Sequence, residues 1–310
     1  MSLVVAGVDG GGSKTKVWIS GIQGLHLAEA EGPGSAVKPG DADRSAEVIE
    51  STLREALEAC GMAAVMPRVL CIGVAGVGRD DQRHALWQAI TNRDIADEVI
   101  VRTDAEIALE DAFGEGAGIL LIGGTGSIAF ARGPAGGSAR CGGWGPVCGD
   151  EGGGAWIGRR ALSIVTAASD GREPETALVG SILEAAGLHQ IEELIPWGSA
   201  ATPAMLASLA PGVIAAAEDG DQRANALLSM AAEELVLHVR TLARKLFGEE
   251  RAACPVALTG GLLAPGAVLR KRVEHRMKAA VPGAQLRAEE VVPVRGAVAA
   301  ALGALRAGVD

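Results

Sequence analysis

The chain has 310 residues, 48% apolar and 21% charged, with a formal net charge of −10. That length and apolar content suit a large buried core, most naturally in two domains, and exclude a disordered or low-complexity chain. The acidic balance, without any lysine or arginine cluster, argues against a nucleic-acid surface, and no apolar run reaches membrane-spanning length.

The first stretch to raise a chemical question is "GVDGGGSKTKVWI", residues 7 to 19. It is not a Walker loop, because Ser13 separates Gly12 from Lys14 and β-branched or aromatic residues follow where a helix is needed. It is not a dinucleotide fingerprint either, because "TKVWISG" alternates with period two and reads as a strand. The glycines therefore sit in a strand-turn-strand, whose tip can turn backbone N–H groups inward on an anion. "LHLAEAEG" reads as a third strand, closed by "GPGSAVKPGD". A helix then runs through "SAEVIESTLREALEACG", followed by the buried strand "RVLCIGVAG", the helix "DDQRHALWQAITN" and the strand "DEVIVRTD". Asp104 stands at the end of that strand, and residues 105 to 113 form a short helix. The order β-β-β-α-β-α-β-α is one α/β unit.

At "GAGILLIGGTGSIAFARGPAGG" the pattern restarts with strand, glycine turn, strand and a Gly/Pro-rich break. Helices are expected over roughly 151 to 169, 174 to 187, 202 to 219 and 221 to 247. In the last of these Leu228, Ala232, Leu235, Val239, Leu242 and Leu246 form a core-facing stripe. "CPVALTGGLLAPG" adds a strand with a glycine turn, a helix follows to about 281, and "PVRGAVAAALGAL" closes the chain. The small residues Gly296, Ala297, Ala299, Ala300, Ala301 and Gly303 would let that last helix approach the first sheet closely. The domains expected are 1–115 with 293–310, and 116–292.

Cys60, Cys71, Cys141, Cys148 and Cys254 are odd in number and scattered, which points to reduced, mostly buried thiols. The start of the sequence has neither a basic leader nor a small-residue cleavage pattern, so a cytoplasmic protein is expected.

Four features line up: the hairpin at 9 to 15, Asp104, the hairpin at 123 to 127 and "TGG" at 259 to 261. In this order on a duplicated α/β framework they resemble the actin/hexokinase/chaperone ATPase superfamily. That resemblance implies a two-lobed fold of ribonuclease H-like units with a nucleotide cleft between lobes. The segment "CGGWGPVCGDEGGGAWIG", 141 to 158, with "TDA" at 103 to 105 and "GTGS" at 124 to 127, resembles the N-acetylglucosamine kinase and glucosamine kinase family. The resemblance implies ATP and Mg²⁺ as cofactors, an amino sugar as substrate, no nucleic-acid or membrane partner, and a homodimer. By it Asp104 is the catalytic carboxylate, and Ser35, Gly143, Trp144, Gly145 and Asp150 line the sugar site. Gly11, Gly12, Ser13, Lys14, Thr125, Gly126, Ser127, Ala207, Gly260 and Gly261 would contact ATP, and Asp9 would hold Mg²⁺ through water. Two positions depart from the family pattern, Ser35 and Ile128 standing where relatives carry Asn.

Taken alone, Asp104 reads as a helix cap before "AEIAL", and Asp150 and Glu151 as the start of the helix after them. "GTGSIA" formally matches a dinucleotide loop, but Gly133 and Pro134 arrive too soon for the required helix. No Gly-x-Ser-x-Gly elbow offers a serine nucleophile. The rival on the same fold is an activator ATPase of 2-hydroxyacyl-CoA dehydratases or benzoyl-CoA reductase. Those carry an iron–sulfur cluster through a cysteine near the second phosphate loop, where this chain has "LLIG".

Overall fold

The computed structural model describes residues 3–248 and 252–308. It divides into two units, Met1–Gly116 with Val291–Asp310, and Ala117–Glu290. In the first, the chain runs β1 (Val4–Gly10), β2 (Lys14–Gly21), β3 (His26–Pro33), α1 (Ala42–Ala59), β4 (Val69–Val74), α2 (Asp80–Thr91), β5 (Glu98–Arg102) and α3 (Asp104–Phe113). The second starts with β6 (Gly118–Gly123), β7 (Ser127–Arg132) and β8 (Ser138–Gly142). Seven helices follow: α4 (Gly145–Cys148), α5 (Gly154–Ser169), α6 (Leu178–Ala186), α7 (Leu194–Ala200), α8 (Pro203–Ala207), α9 (Ala210–Glu218) and α10 (Gln222–Leu246). β9 (Cys254–Thr259), α11 (Val268–Ala280) and β10 (Ala284–Leu286) complete it, and α12 (Pro293–Ala307) belongs to the first unit.

The two sheets have one topology. The first is ordered β3-β2-β1-β4-β5 and the second β10-β9-β6-β7-β8, so β6, β7, β8, β9 and β10 repeat β1 to β5 in turn. In each, the first three strands are an antiparallel meander and the other two join in parallel. The central strands β1, β4 and β6 are buried along nearly their whole length because both of their faces are covered. Fold class and duplication are thus as the sequence implied. β8 and β10 go beyond the expected strands: both are edge strands, short and without an apolar run.

α12 packs on β1, β4 and α3. Gly296 is where it comes nearest to α3, since a Cβ there would meet the Ile107 carbonyl and lie 2.7 Å from the Asp111 amide. The Asp111 carboxylate accepts from the Val292 amide at 2.7 Å and from Arg295 Nη2 at 2.9 Å, fixing the start of α12. Ala297, Ala300 and Ala301 are buried, whereas Ala299 and Gly303 face outward and take no part in the approach. In the second unit Leu228, Ala232, Leu235, Val239 and Leu242 of α10 are core residues, as their spacing indicated.

The helix boundaries differ from expectation in two places. The helix expected from 151 starts at Gly154, because Asp150 (φ 59°) and Gly152 (φ 79°) are left-handed. The stretch 202 to 219 is divided into α8 and α9 at Ser208 and Leu209, where Pro211 has no N–H to donate to the Ala207 carbonyl one turn back. Of the thiols, Cys71 and Cys254 are buried and pushed by burial up to about 12, Cys60 and Cys141 are half-buried, and Cys148 is exposed. "Mostly buried" therefore holds for two of five.

Candidate active site

In the first unit the β1–β2 hairpin carries the glycines. Asp9 is the last residue but one of β1, opposite Lys16 on β2 and beside Gly73 on β4. Gly11 closes the tip by donating to the Lys14 carbonyl at 2.8 Å, leaving Gly12 and Ser13 exposed at the turn. Lys14 points along the sheet to Glu31, 3.6 Å away. Among the described residues no carbonyl or carboxylate accepts from the Gly12 or Ser13 amides. Two neighbouring unpartnered N–H groups are the elements of an anion-binding concavity.

Asp104 opens α3 at its first helical position, and it is not the cap. Thr103 is: its hydroxyl accepts from the Glu106 amide at 3.1 Å while Glu106 Oε2 accepts from the Thr103 amide at 2.6 Å. This capping box is the Thr-x-x-Glu of "TDAE", a signal already present in the sequence. Arg83 of α2 donates to Glu106 Oε2 at 3.3 Å and braces the box. Asp104 itself accepts from the Ala105 amide at 2.9 Å. Burial raises its pKa above the usual carboxylate range, with repulsion from Glu106 adding to it and two backbone hydrogen bonds opposing. Burial, then the charge of Asp104, pushes Asp9 up to about 6.

In the second unit the tip 124 to 126 is folded on the start of α5. The Gly154 amide donates to the Gly124 carbonyl at 2.8 Å and the Ala155 amide to that of Thr125 at 2.9 Å. The helix thus satisfies its first donors on the hairpin's carbonyls, and its positive end lies behind the turn. Among the described residues the Thr125 and Gly126 amides have no acceptor. A Cβ on Gly126 would land on the Asp150 carboxylate, 2.8 Å from its Cγ. Asp150 Oδ1 also accepts from the Gly145 amide at 3.2 Å. One side chain in a left-handed backbone therefore touches both the hairpin and the Gly143-Trp144-Gly145 loop.

That loop lifts Trp144 to 68% exposure. Arg140 of β8 lies 4.4 Å over its ring and donates to the carbonyls of Gly142 at 2.7 Å and Gly143 at 3.3 Å. Arg159 of α5 holds the next residue, donating to the Pro146 carbonyl at 2.6 Å. Ala207, at the end of α8, lies 3.0 Å from where a Cβ on Gly154 would stand. Gly260 (φ 95°) packs on Gly123 at the end of β6, with Gly261 exposed beside it.

The expected residues therefore form two groups, Asp9, Gly11 to Lys14, Ser35 and Asp104 in one unit, the remainder in the other. At two of the expected positions the hydroxyl is engaged inside the fold. Ser35 is 1% exposed and bonded to Thr15, and the Ser127 hydroxyl, 3% exposed as a residue, donates to the Glu151 carbonyl at 2.6 Å. Glu106 is marked by the Thr-x-x-Glu pattern, whereas Arg140 and Arg159 carry no sequence motif; each of the three braces backbone beside a candidate residue rather than standing among them.

Duplicated five-stranded sheets, each with a glycine hairpin at its first turn, and Asp104 just past a strand end in the first unit, define an actin-like ATPase fold of the kind that sugar kinases use. The chain belongs to the BadF/BadG/BcrA/BcrD ATPase family, whose model matches residues 6–304. It is 35% identical over 244 residues to an N-acetylmuramic acid/N-acetylglucosamine kinase of Clostridium acetobutylicum, covering 78% of this chain and 80% of that one. It is 28% identical to an N-acetyl-D-glucosamine kinase of Dictyostelium discoideum, over 96% and 98% of the two chains. A solved structure from Chromobacterium violaceum, described as a candidate N-acetylglucosamine kinase, superposes with a TM-score of 0.79 at 32% identity over 96% of this chain and 98% of that one. The named relatives are sugar kinases, which favours the kinase over the activator ATPase.

Proposed function

We propose that the protein is an ATP-dependent amino-sugar kinase that transfers the γ-phosphoryl group to the 6-hydroxyl of N-acetylglucosamine or glucosamine. The observation that carries this reading is the setting of Asp104. Thr103 and Glu106 form the capping box, so beyond its bond to the Ala105 amide the Asp104 carboxylate is left for other work, and burial raises its proton affinity, which suits a group that takes a proton from a sugar hydroxyl.

In phosphoryl transfer most of the barrier is removed by in-line positioning and by neutralising the phosphoryl oxygens. The unpartnered amides of Gly12, Ser13, Thr125 and Gly126 would hold phosphate oxygens, with Ala207, Gly260 and Gly261 along the nucleoside. Gly143, Trp144, Gly145 and Asp150 would hold the sugar, and Asp104 would orient its hydroxyl and accept the proton as the oxygen attacks phosphorus. Asp9 and Asp104 fit a hard divalent cation, being two desolvated oxygen donors, with Lys14 and Lys16 only partly offsetting the burial and repulsion at Asp9. Mg²⁺ held by Asp9 through water would neutralise phosphate charge. A cytoplasmic homodimer completes the proposal, with sedimentation in dilute buffer as the test of its dimeric state.

The test is ADP release with N-acetylglucosamine, glucosamine, N-acetylmuramic acid and glucose in parallel, with ³¹P NMR to place the phosphate. Turnover of an amino sugar with phosphate on C6 is expected. ATP hydrolysis indifferent to every sugar would overturn it.

A further inference from the structure

The loop after β3 is tied to the first glycine hairpin at three points. Thr15 Oγ1 lies 2.6 Å from the Pro33 carbonyl and 2.7 Å from Ser35 Oγ, both hydroxyls being buried. A hydroxyl has one proton, so with Thr15 donating to the carbonyl it accepts from Ser35. The Ala36 amide donates to the Gly11 carbonyl at 3.1 Å. Gly34 lies flat on the Gly12–Ser13 peptide, where a Cβ would stand 2.5 Å from the Gly12 carbonyl carbon and 2.9 Å from the Ser13 nitrogen. On its far side the loop is anchored to the turn after β4, the Val37 amide donating to the Ala75 carbonyl at 2.9 Å and the Ala75 amide to that of Gly10 at 2.9 Å.

We propose that Ser35 is a positioning residue for the nucleotide: through Thr15 and the 33–37 loop it fixes the height and tilt of the Gly12 and Ser13 amides. The proposal rests on the kinase reading above and moves Ser35 from the sugar side to the phosphate side. The physical reason lies in what carries the tip. Gly12 has no atom within 4 Å of a built Cβ, so no side chain stiffens the turn from outside, and the stiffness comes from the loop beneath it. Inside the fold the Ser35 hydroxyl fills the space beside Gly10 and Val74 and completes the polar chain from Thr15 to Pro33. Without it the main-chain ties persist but the Thr15 hydroxyl loses a donor, and the β2 end of the tip gains freedom that the bound phosphate must remove. The effect is expected on nucleotide affinity, because the ties of Ser35 and its loop run to the Gly11–Ser13 tip.

The experiment compares Ser35→Ala with the wild type by calorimetry with Mg²⁺ and a non-hydrolysable ATP analogue, alongside steady-state KM values for ATP and sugar. Loss of one buried hydrogen bond at a binding loop predicts a roughly three- to tenfold weaker analogue and a matching rise in KM for ATP, with KM for sugar within about twofold. Thr15→Ser, which keeps the hydroxyl, should bind as the wild type does. Thr15→Val should reproduce Ser35→Ala, and the double variant should be no weaker than the weaker single. Should Ser35→Ala fail to fold, Thr15→Val and Thr15→Ser carry the comparison. A rise in sugar KM with analogue affinity unchanged overturns the proposal, as does a lowered Tm with both affinities unchanged. Calorimetry reads nucleotide binding without turnover, so a protein that phosphorylates no sugar sinks the kinase reading while the analogue affinities still decide the role of Ser35.

Discussion

The two glycine hairpins occupy the same place in two sheets of one topology, yet they are held by different means. The first rests on a loop, through buried hydroxyls and a glycine that lets backbone lie on backbone. The second rests on the amino end of α5, through main-chain bonds, with the Asp150 side chain packed against its tip. Duplication has preserved the donors at the turn and not the scaffold behind them. Each scaffold also couples its hairpin to something different: the first to the turn after β4, the second to the loop proposed to hold the sugar. Substitutions in the two hairpins should therefore fail in different ways.

The largest effect is expected at Asp104. Asp104→Asn keeps the size, and the Thr103–Glu106 box continues to cap α3, so the helix should be unaffected. A carboxamide cannot accept the proton, and kcat should fall by roughly 10²- to 10⁴-fold with nucleotide affinity nearly unchanged. Single-turnover measurements at saturating sugar would check this. Full activity would return Asp104 to a structural residue and leave the first hairpin with no chemistry beside it.

Next comes the direct comparison of hairpins. At Gly126 a side chain must displace the Asp150 carboxylate, which also bonds the Gly145 amide, so Gly126→Val should harm nucleotide and sugar use together. Misplacing both by a fraction of an ångström predicts a loss on the order of 10² in kcat/KM. Gly12→Ala meets no atom within 4 Å and Gly124→Ala likewise, so both should fold normally, and a loss at Gly12→Ala should fall on the nucleotide alone. If Gly126→Val raised KM for ATP without touching sugar, the coupling through Asp150 would be wrong.

What could be read from the sequence follows from which interactions are local. The glycine hairpins, the buried strands and the α10 stripe declare themselves through spacing, and Asp104 through its place after a strand. Edge strand β8 escaped because "SARCG" carries no apolar alternation; it is specified by pairing with β7, a tertiary fact. The inward turn of Ser35 and Ser127 escaped for a similar reason, since a hydroxyl's direction depends on acceptors 20 and 24 residues away. α5 starts late because Asp150 serves the hairpin and the Gly145 amide from a backbone that no helix accommodates.

A smaller effect separates the hairpins by pH. Asp9 is raised to about 6, first by burial and then by Asp104, whereas an unfolded aspartate titrates near 3.9. Between those values the folded chain holds a proton that the unfolded chain has released. This contribution to stability is fully present at low pH, is lost as pH rises from about 4 to about 6, and costs at most about 3 kcal/mol above that. Asp9→Asn removes the charge, so without nucleotide and metal it should melt higher than the wild type at pH 8 and level with it near pH 4. Melting curves at the two pH values, in chelator, measure this, and an equal difference at both would refute it.

The smallest expected effect lies at Arg140, and it asks how far the second hairpin's scaffold extends. The guanidinium covers one face of Trp144 and ties down the Gly142 and Gly143 carbonyls, but both side chains are exposed, so stacking and hydrogen bonds compete with water. A surface cation–π contact contributes about 0.5–1 kcal/mol and the bonds to the loop a similar amount. Arg140→Ala should accordingly raise KM for the sugar about fivefold and leave KM for ATP alone, because the 124–126 tip is held by α5 and not by β8. Arg140→Lys keeps the charge but lacks the planar fork needed to stack and reach two carbonyls, so it should recover little. Full recovery by lysine would mean that charge alone matters, and an equal rise in KM for ATP would mean that hairpin and sugar loop move as one body. In that case the second unit would work as a single clamp.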